Sequence, residues 1–275
     1  MEARAISNAN RSFAHRPVQL VIVRANGPLF YSVAAAALLE SDVARCAERM
    51  LHFFAGDREL CAWIRDEWQP RKAARAVELR QYVEATWPEF DWPAACEHYR
   101  ALTEADGGPG PKRATAAHEA LARCMAAAQT ALVYRTLSRW ADDAQLREMV
   151  RTMAQEEALS LPRFRAAFEQ RAKVHRLSFI GAWRTALACA RGARDTHLPL
   201  AFNALSLQWG SSAPFPAIGY HEFVVRMRAV IERRGDLGTP ERLLFRAWTK
   251  PPCVRIEQAA NAAPAWFRPG LRVAA

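Results

Sequence analysis

Four stretches of this chain repeat apolar residues every three or four positions, over lengths that only helices reach. Leu39, Val43, Cys46, Met50 and Phe53 form the first stripe, and Leu60, Ile64, Ala74 and Val77 lie along the second. Ala117, Leu121, Cys124, Ala128 and Leu132 form the third; Leu146, Val150, Met153, Phe164 and Phe168 form the fourth. A period near 3.6 gathers such residues on one side of a helix, and that side must be buried against another element. The expected fold is all-α, built on two long helical hairpins. Only 12 of 275 residues are glycine, which favours the same answer over a strand-rich sandwich.

Breaker residues divide the pattern. Residues 1–30 read as an N-terminal arm: polar at first, then a short β-like run from Val18 to Val23, then Asn26-Gly27-Pro28. A helix is expected from about Leu29 to Ala55, and a second from Arg58, after Gly56-Asp57. Thr86 to Pro93 reads as a turn, followed by a short helix through Cys96 and Tyr99 and a linker from Asp106 to Pro111. That linker precedes Lys112 but lacks the spacing of a phosphate-binding loop. A third helix is expected over about Ala114–Trp140, and Asp142-Asp143 caps a fourth. Residues 31–175 thus form the expected bundle. Residues 176–275 hold shorter helices near Phe179–Arg191, Leu198–Gln208 and His221–Arg233, broken at Gly210 to Pro216 and Gly235 to Pro240, and a tail from Pro251.

The formal net charge is +10, and only Lys72, Lys112, Lys173 and Lys250 are lysine, so 34 of the 38 basic residues are arginine. An alanine- and arginine-rich chain acquires such an excess from coding bias, so nucleic acid is not the expected partner. The charge suits acidic or phosphorylated partners. Arginines gather at Arg163, Arg165 and Arg171, with Lys173 and Arg176, and again at Arg226, Arg228, Arg233 and Arg234. Solvated faces are the plainer reading of both groups. As docking surfaces they would take an acidic carrier protein or a phosphorylated small molecule. The six cysteines are scattered with no C-x-x-C pair, as reduced thiols of a cytoplasmic protein would be. The apolar run Leu29 to Leu39 is too short to span a bilayer, so no membrane partner is expected. A homodimer is compatible with the pattern.

Two carboxylates interrupt the stripes: Glu67 in the second and Glu157 in the fourth. Each falls in the second helix of a hairpin, within Ile64-Arg65-Asp66-Glu67-Trp68-Gln69-Pro70 and Met153-Ala154-Gln155-Glu156-Glu157-Ala158-Leu159-Ser160. In this the chain resembles the ferritin-like superfamily, including acyl-carrier desaturases and rubrerythrin-type proteins, over about residues 31–172. The resemblance implies a four-helix bundle with extra C-terminal helices. It also implies a two-metal site of one glutamate on each of helices one and three and Glu-x-x-His on helices two and four.

The chain departs from that pattern where the chemistry lies. Pro70 and Ser160 stand at the two histidine positions, and neither replaces an imidazole ligand. Residues equally far from a hairpin turn lie at one level. Glu67 then faces the neighbourhood of Cys46, and Glu157 that of Ala128 and Gln129. Neither level offers a glutamate; Glu48 and Glu119 are nearby but off level or off face. The vestigial positions are therefore Glu67, Glu156 and Glu157, with Cys46 and Gln129 as substitutes. The expected protein is a metal-free binding protein or pseudo-enzyme with no resident cofactor. The alternative is an oxygenase- or desaturase-like oxidoreductase, holding iron or manganese through a reduced carboxylate set. A buried, uncompensated Glu157 would have a raised pKa; a metal or a buried arginine as counter-ion would reverse that sign.

Overall fold

The computed structural model describes residues 17–105, 115–174, 185, 197–209 and 212–234, and within them the chain is all-helical with no strand. The first half of the arm, the linker at Asp106 to Pro111, the helix near Phe179, the break at Gly235 and the tail lie outside the described residues. The helices are α1 (Pro17–Arg24), α2 (Gly27–Ser41), α3 (Val43–Phe53), α4 (Arg58–Trp63), α5 (Gln69–Thr86), α6 (Trp92–Ala105), α7 (Ala116–Trp140), α8 (Ala144–Val174), α9 (Leu198–Ser206) and α10 (Tyr220–Arg234). A single π-helical turn, Ile64–Trp68, joins α4 to α5.

The largest interface is the α7–α8 hairpin, and the next is α2 against α5. Its turn is set by Asp143, whose carboxylate accepts from the Leu146 amide at 2.7 Å. Asp57 does the same for α4, accepting from Leu60 at 3.0 Å, a cap worth about 1 kcal/mol. The fourth stripe is buried as its spacing requires: Leu146, Val150, Met153, Glu157, Phe164 and Phe168 all face the core. Pro162 falls inside α8 without ending it. The loss of one backbone donor is outweighed because Ser160 and Phe164 on either side of it are buried.

Three expectations change. The β-like run is helix α1: strand propensity has no partner strand to act on, and the Trp87 indole N–H caps the helix end by donating to the Arg24 carbonyl at 3.1 Å. Helix α1, the described part of the arm, packs on α2 and α5. The single long helix from Leu29 is split at Asp42, where Ser41 Oγ donates to Leu38 O at 2.6 Å and the Asp42 carboxylate accepts from Arg45. The second helix carries the π-turn, which rotates everything after it. Trp68, Arg75, Ala76 and Leu79 are buried, whereas Glu67, Ala74 and Val77 face outward.

Helix α2 is the centre of the molecule. It is apolar on nearly every side and is covered by α1, α5, α9 and α10. Phe30 is fully buried and meets Trp87, Phe90 and Trp209 edge-on at 5.1, 4.9 and 4.8 Å between ring centroids. Gly27 lies so close to Phe215 that an added Cβ would stand 2.8 Å from the ring. No helix among the described residues is long and apolar enough to cross a membrane.

Candidate functional site

The last turn of α2 places a carboxylate, Glu40, at the end of an otherwise apolar run, and it is only 6 % exposed. Opposite it, α5 presents Lys72 and Arg75 one turn apart, α8 presents Glu156 and Glu157, and α7 presents Tyr134. Lys72 Nζ lies 2.6 Å from Glu157 Oε1 and 3.0 Å from Glu40 Oε1, so one ammonium joins α2, α5 and α8. Tyr134 donates its hydroxyl to the same Glu40 oxygen at 2.8 Å. Arg75 donates to Glu157 from one guanidinium nitrogen and to Glu156 from another, the latter at 2.7 Å. Glu157, Arg75 and Tyr134 are buried; Glu156 reaches partly to solvent.

Such a cluster is stable only if its charges compensate one another. Glu40 and Glu157 are the two buried anions, and Lys72 and Arg75 are the two cations between them. Burial pushes the Glu157 carboxyl up, but the charges and hydrogen bonds of Lys72 and Arg75 outweigh it and hold the pKa below the ordinary value. Burial likewise disfavours the Lys72 ammonium, yet Glu157 and Glu40 hold its pKa above the usual lysine value. Burial and the neighbouring Glu40 push the Tyr134 phenol well above 10.0, so it is a donor at every physiological pH. The sign expected for an uncompensated Glu157 is thus reversed, and the counter-ions are a lysine and an arginine from α5.

The structure brings Glu156 and Glu157 into this cluster and leaves Glu67 out. Glu67 sits on the exposed side of the π-turn, paired with Arg71 at 3.3 Å. Pro70 is also exposed, and Ser160 is buried with its hydroxyl turned back to Glu156 O at 3.1 Å. Cys46 belongs to a second ionic group between α3 and α7. There Arg123 donates to its Sγ at 2.7 Å and forms an ion pair with fully buried Glu119 at 2.9 Å, while Arg49 donates to the other Glu119 oxygen at 3.2 Å. The Gln129 side-chain nitrogen is buried and finds no hydrogen-bond partner among the described residues.

Glu40, Lys72, Arg75 and Tyr134 were not legible as site residues. Two signals bear on the first two: Glu40 is the lone carboxylate of an apolar helix, and Lys72 is one of only four lysines among 38 basic residues. Counted outward from Gly56-Asp57, Lys72 falls level with Ser41, beside Glu40.

A pair of metal ions does not fit these residues. An ammonium and a guanidinium offer donors only, and both stand where a metal would need lone pairs. Among the described residues no group of three or more histidine, cysteine, aspartate or glutamate side chains could hold a metal ion. The arginine groups beyond α7 are paired locally: Arg163 with Glu59 at 3.4 Å, Arg165 with Glu169 at 2.7 Å, Arg171 with Asp57 at 3.0 Å, and Arg228 with Glu232 at 2.9 Å. No family model matches this chain, and no curated protein or solved structure does.

Proposed function

We propose that this chain is a ferritin-like helical bundle whose two-metal position has become an internal ion cluster, and that it acts as a binding protein or pseudo-enzyme. One observation carries the reading: Lys72 bonds to both Glu40 and Glu157 across the site, and Arg75 bonds to Glu157 and Glu156 beside it. The pattern of donors supports the family comparison. Glu40 on α2 stands for the glutamate of the first helix. Lys72-Ala73-Ala74-Arg75 keeps the spacing of Glu-x-x-His on the second, Tyr134 takes the third helix, and Glu157-Ala158-Leu159-Ser160 keeps the same spacing on the fourth.

Oxygen activation at such a position needs open coordination sites on a redox metal. A cluster whose carboxylates are already engaged by its own cations supplies none, and an added dication would be repelled by two fixed positive charges. Of the reduced ligand set, Glu67 is exposed, and Cys46, one of its two substitutes, is bonded to Arg123.

The test is elemental analysis of the purified protein. Iron, manganese and zinc are each expected well below one per chain. A metal held stoichiometrically and lost in Glu157→Ala would defeat the reading and return the chain to the metal-dependent oxidoreductases.

A further inference from the structure

We infer that the Lys72 ammonium is a tethered cation, closing a site that Glu40 and Glu157 would otherwise offer to a divalent metal ion. The inference deepens the reading above and rests on its premise that the position is filled from within. The geometry is that of a bridging ion. One carboxylate oxygen from α2 and one from α8 converge on a single positive atom at 3.0 and 2.6 Å, with the Tyr134 hydroxyl 2.8 Å from the α2 oxygen. Hydrogen bonding alone does not demand that arrangement. A lysine has three donors to distribute, yet the two that these carboxylates engage lead to different helices, as a metal's coordination bonds would.

Arg75 makes the site specific for one added ion. It shares Glu157 Oε1 with Lys72 but is also held by Glu156, and that second bond keeps it in place when Lys72 is removed. The three carboxylates then exceed the remaining cation by two charges, which one divalent ion neutralises. The donors are all oxygen, which suits a hard ion such as manganese(II) over a soft one. Truncating Lys72 to its Cβ leaves room for the ion and a water in a polar pocket.

The experiment compares wild type, Lys72→Ala, Lys72→Met and the double variant Lys72→Ala/Glu157→Gln, with manganese(II) chloride as probe. Two quantities are read: metal retained after desalting, and melting temperature against sodium chloride of equal ionic strength. Lys72→Ala is expected to retain about one manganese per chain and to melt at least about 3 °C higher with the metal. Wild type, Lys72→Met, in which an uncharged side chain fills the space, and the double variant should show neither effect. Folded Lys72→Ala that ignores manganese, or a wild type that takes it up equally, overturns the inference. Should Lys72→Ala not fold alone, recovery of a cooperative transition in manganese but not in sodium chloride supports it, and no recovery overturns it. The two readings fail separately. A wild type purified with bound metal defeats the proposed function, whereas a metal-free wild type whose Lys72→Ala refuses manganese defeats only the tethered cation.

Discussion

Glu157 shows how far a single buried carboxylate depends on what surrounds it. Alone on an apolar stripe it would prefer its proton; flanked by Lys72 and Arg75 it prefers its charge. The sign of its contribution to stability follows. Because its folded pKa lies below the unfolded value of 4.5, the stabilisation is present above that value and is lost as pH falls through the folded pKa. Lys72 works from the other side: its raised pKa stabilises the fold below 10.5 and fails only as pH climbs through the folded value. Glu40, Glu156 and the Tyr134 hydroxyl complete the groups that face them. Glu157→Gln removes the one carboxylate to which both Lys72 and Arg75 bond. It is expected to cost about 3 kcal/mol at pH 8, with a visibly smaller penalty near pH 3.5. Urea unfolding of both proteins at the two pH values checks this. A variant as stable as wild type at pH 8 would mean that the cluster contributes nothing.

At the scale of elements, helix could be read from apolar spacing in all four stretches, though not the split of the first at Asp42, and so could the cap at Asp143. The fourth stripe, including Glu157, is buried as its spacing requires. The second stripe is buried at Leu60 and Ile64 but not at Ala74 and Val77, because the turn between them is π-helical. From Ile64 the inward positions run through buried Trp68, partly exposed Lys72 and buried Arg75, Ala76 and Leu79, one or two residues later than the stripe through Glu67, Ala74 and Val77. That shift hid half the site: it put Glu67 on the expected inner face and Lys72 on the outer one. Strand propensity misled in the same way at Val18 to Val23, since it cannot register the absence of a partner strand. A π-turn is an α-helix with one residue inserted. Deleting exposed Asp66 should therefore merge α4 and α5 into one helix while keeping both faces in place. The expected result is unchanged helicity and a urea midpoint equal to wild type or higher. Adding an alanine after Asp66 instead rotates Lys72 and Arg75 away from Glu157 and should lower the midpoint sharply. Equal loss in both would show that the turn itself, and not the register, is required.

For the molecule as a whole, the C-terminal helices are part of the core. Within residues 176–275, expected to pack on the bundle, α9 and α10 cover the side of α2 that α1 and α5 leave open. Tyr31 stacks near Phe202 at 4.4 Å, and Ser32 Oγ meets Met227 Sδ at 3.0 Å. A chain ended after Val174 should therefore expose the aromatic side of α2. Strong binding of a hydrophobic dye and loss of a single sharp thermal transition are expected. A truncated chain that melts cooperatively without binding dye would restore the two-part description.

The spacing of Lys72 and Arg75 bears on how such a chain could arise. Lysine and glutamate codons differ only at their first base, and two of the arginine codons differ from those of histidine only at the second. On α5, the step between a ligand pair for a metal and a pair of built-in cations is therefore short in nucleotide changes. A bundle that loses its metal by this route exchanges an ion drawn from the cell's supply for one made at the ribosome. Its folding then no longer depends on how much iron or manganese the cell holds.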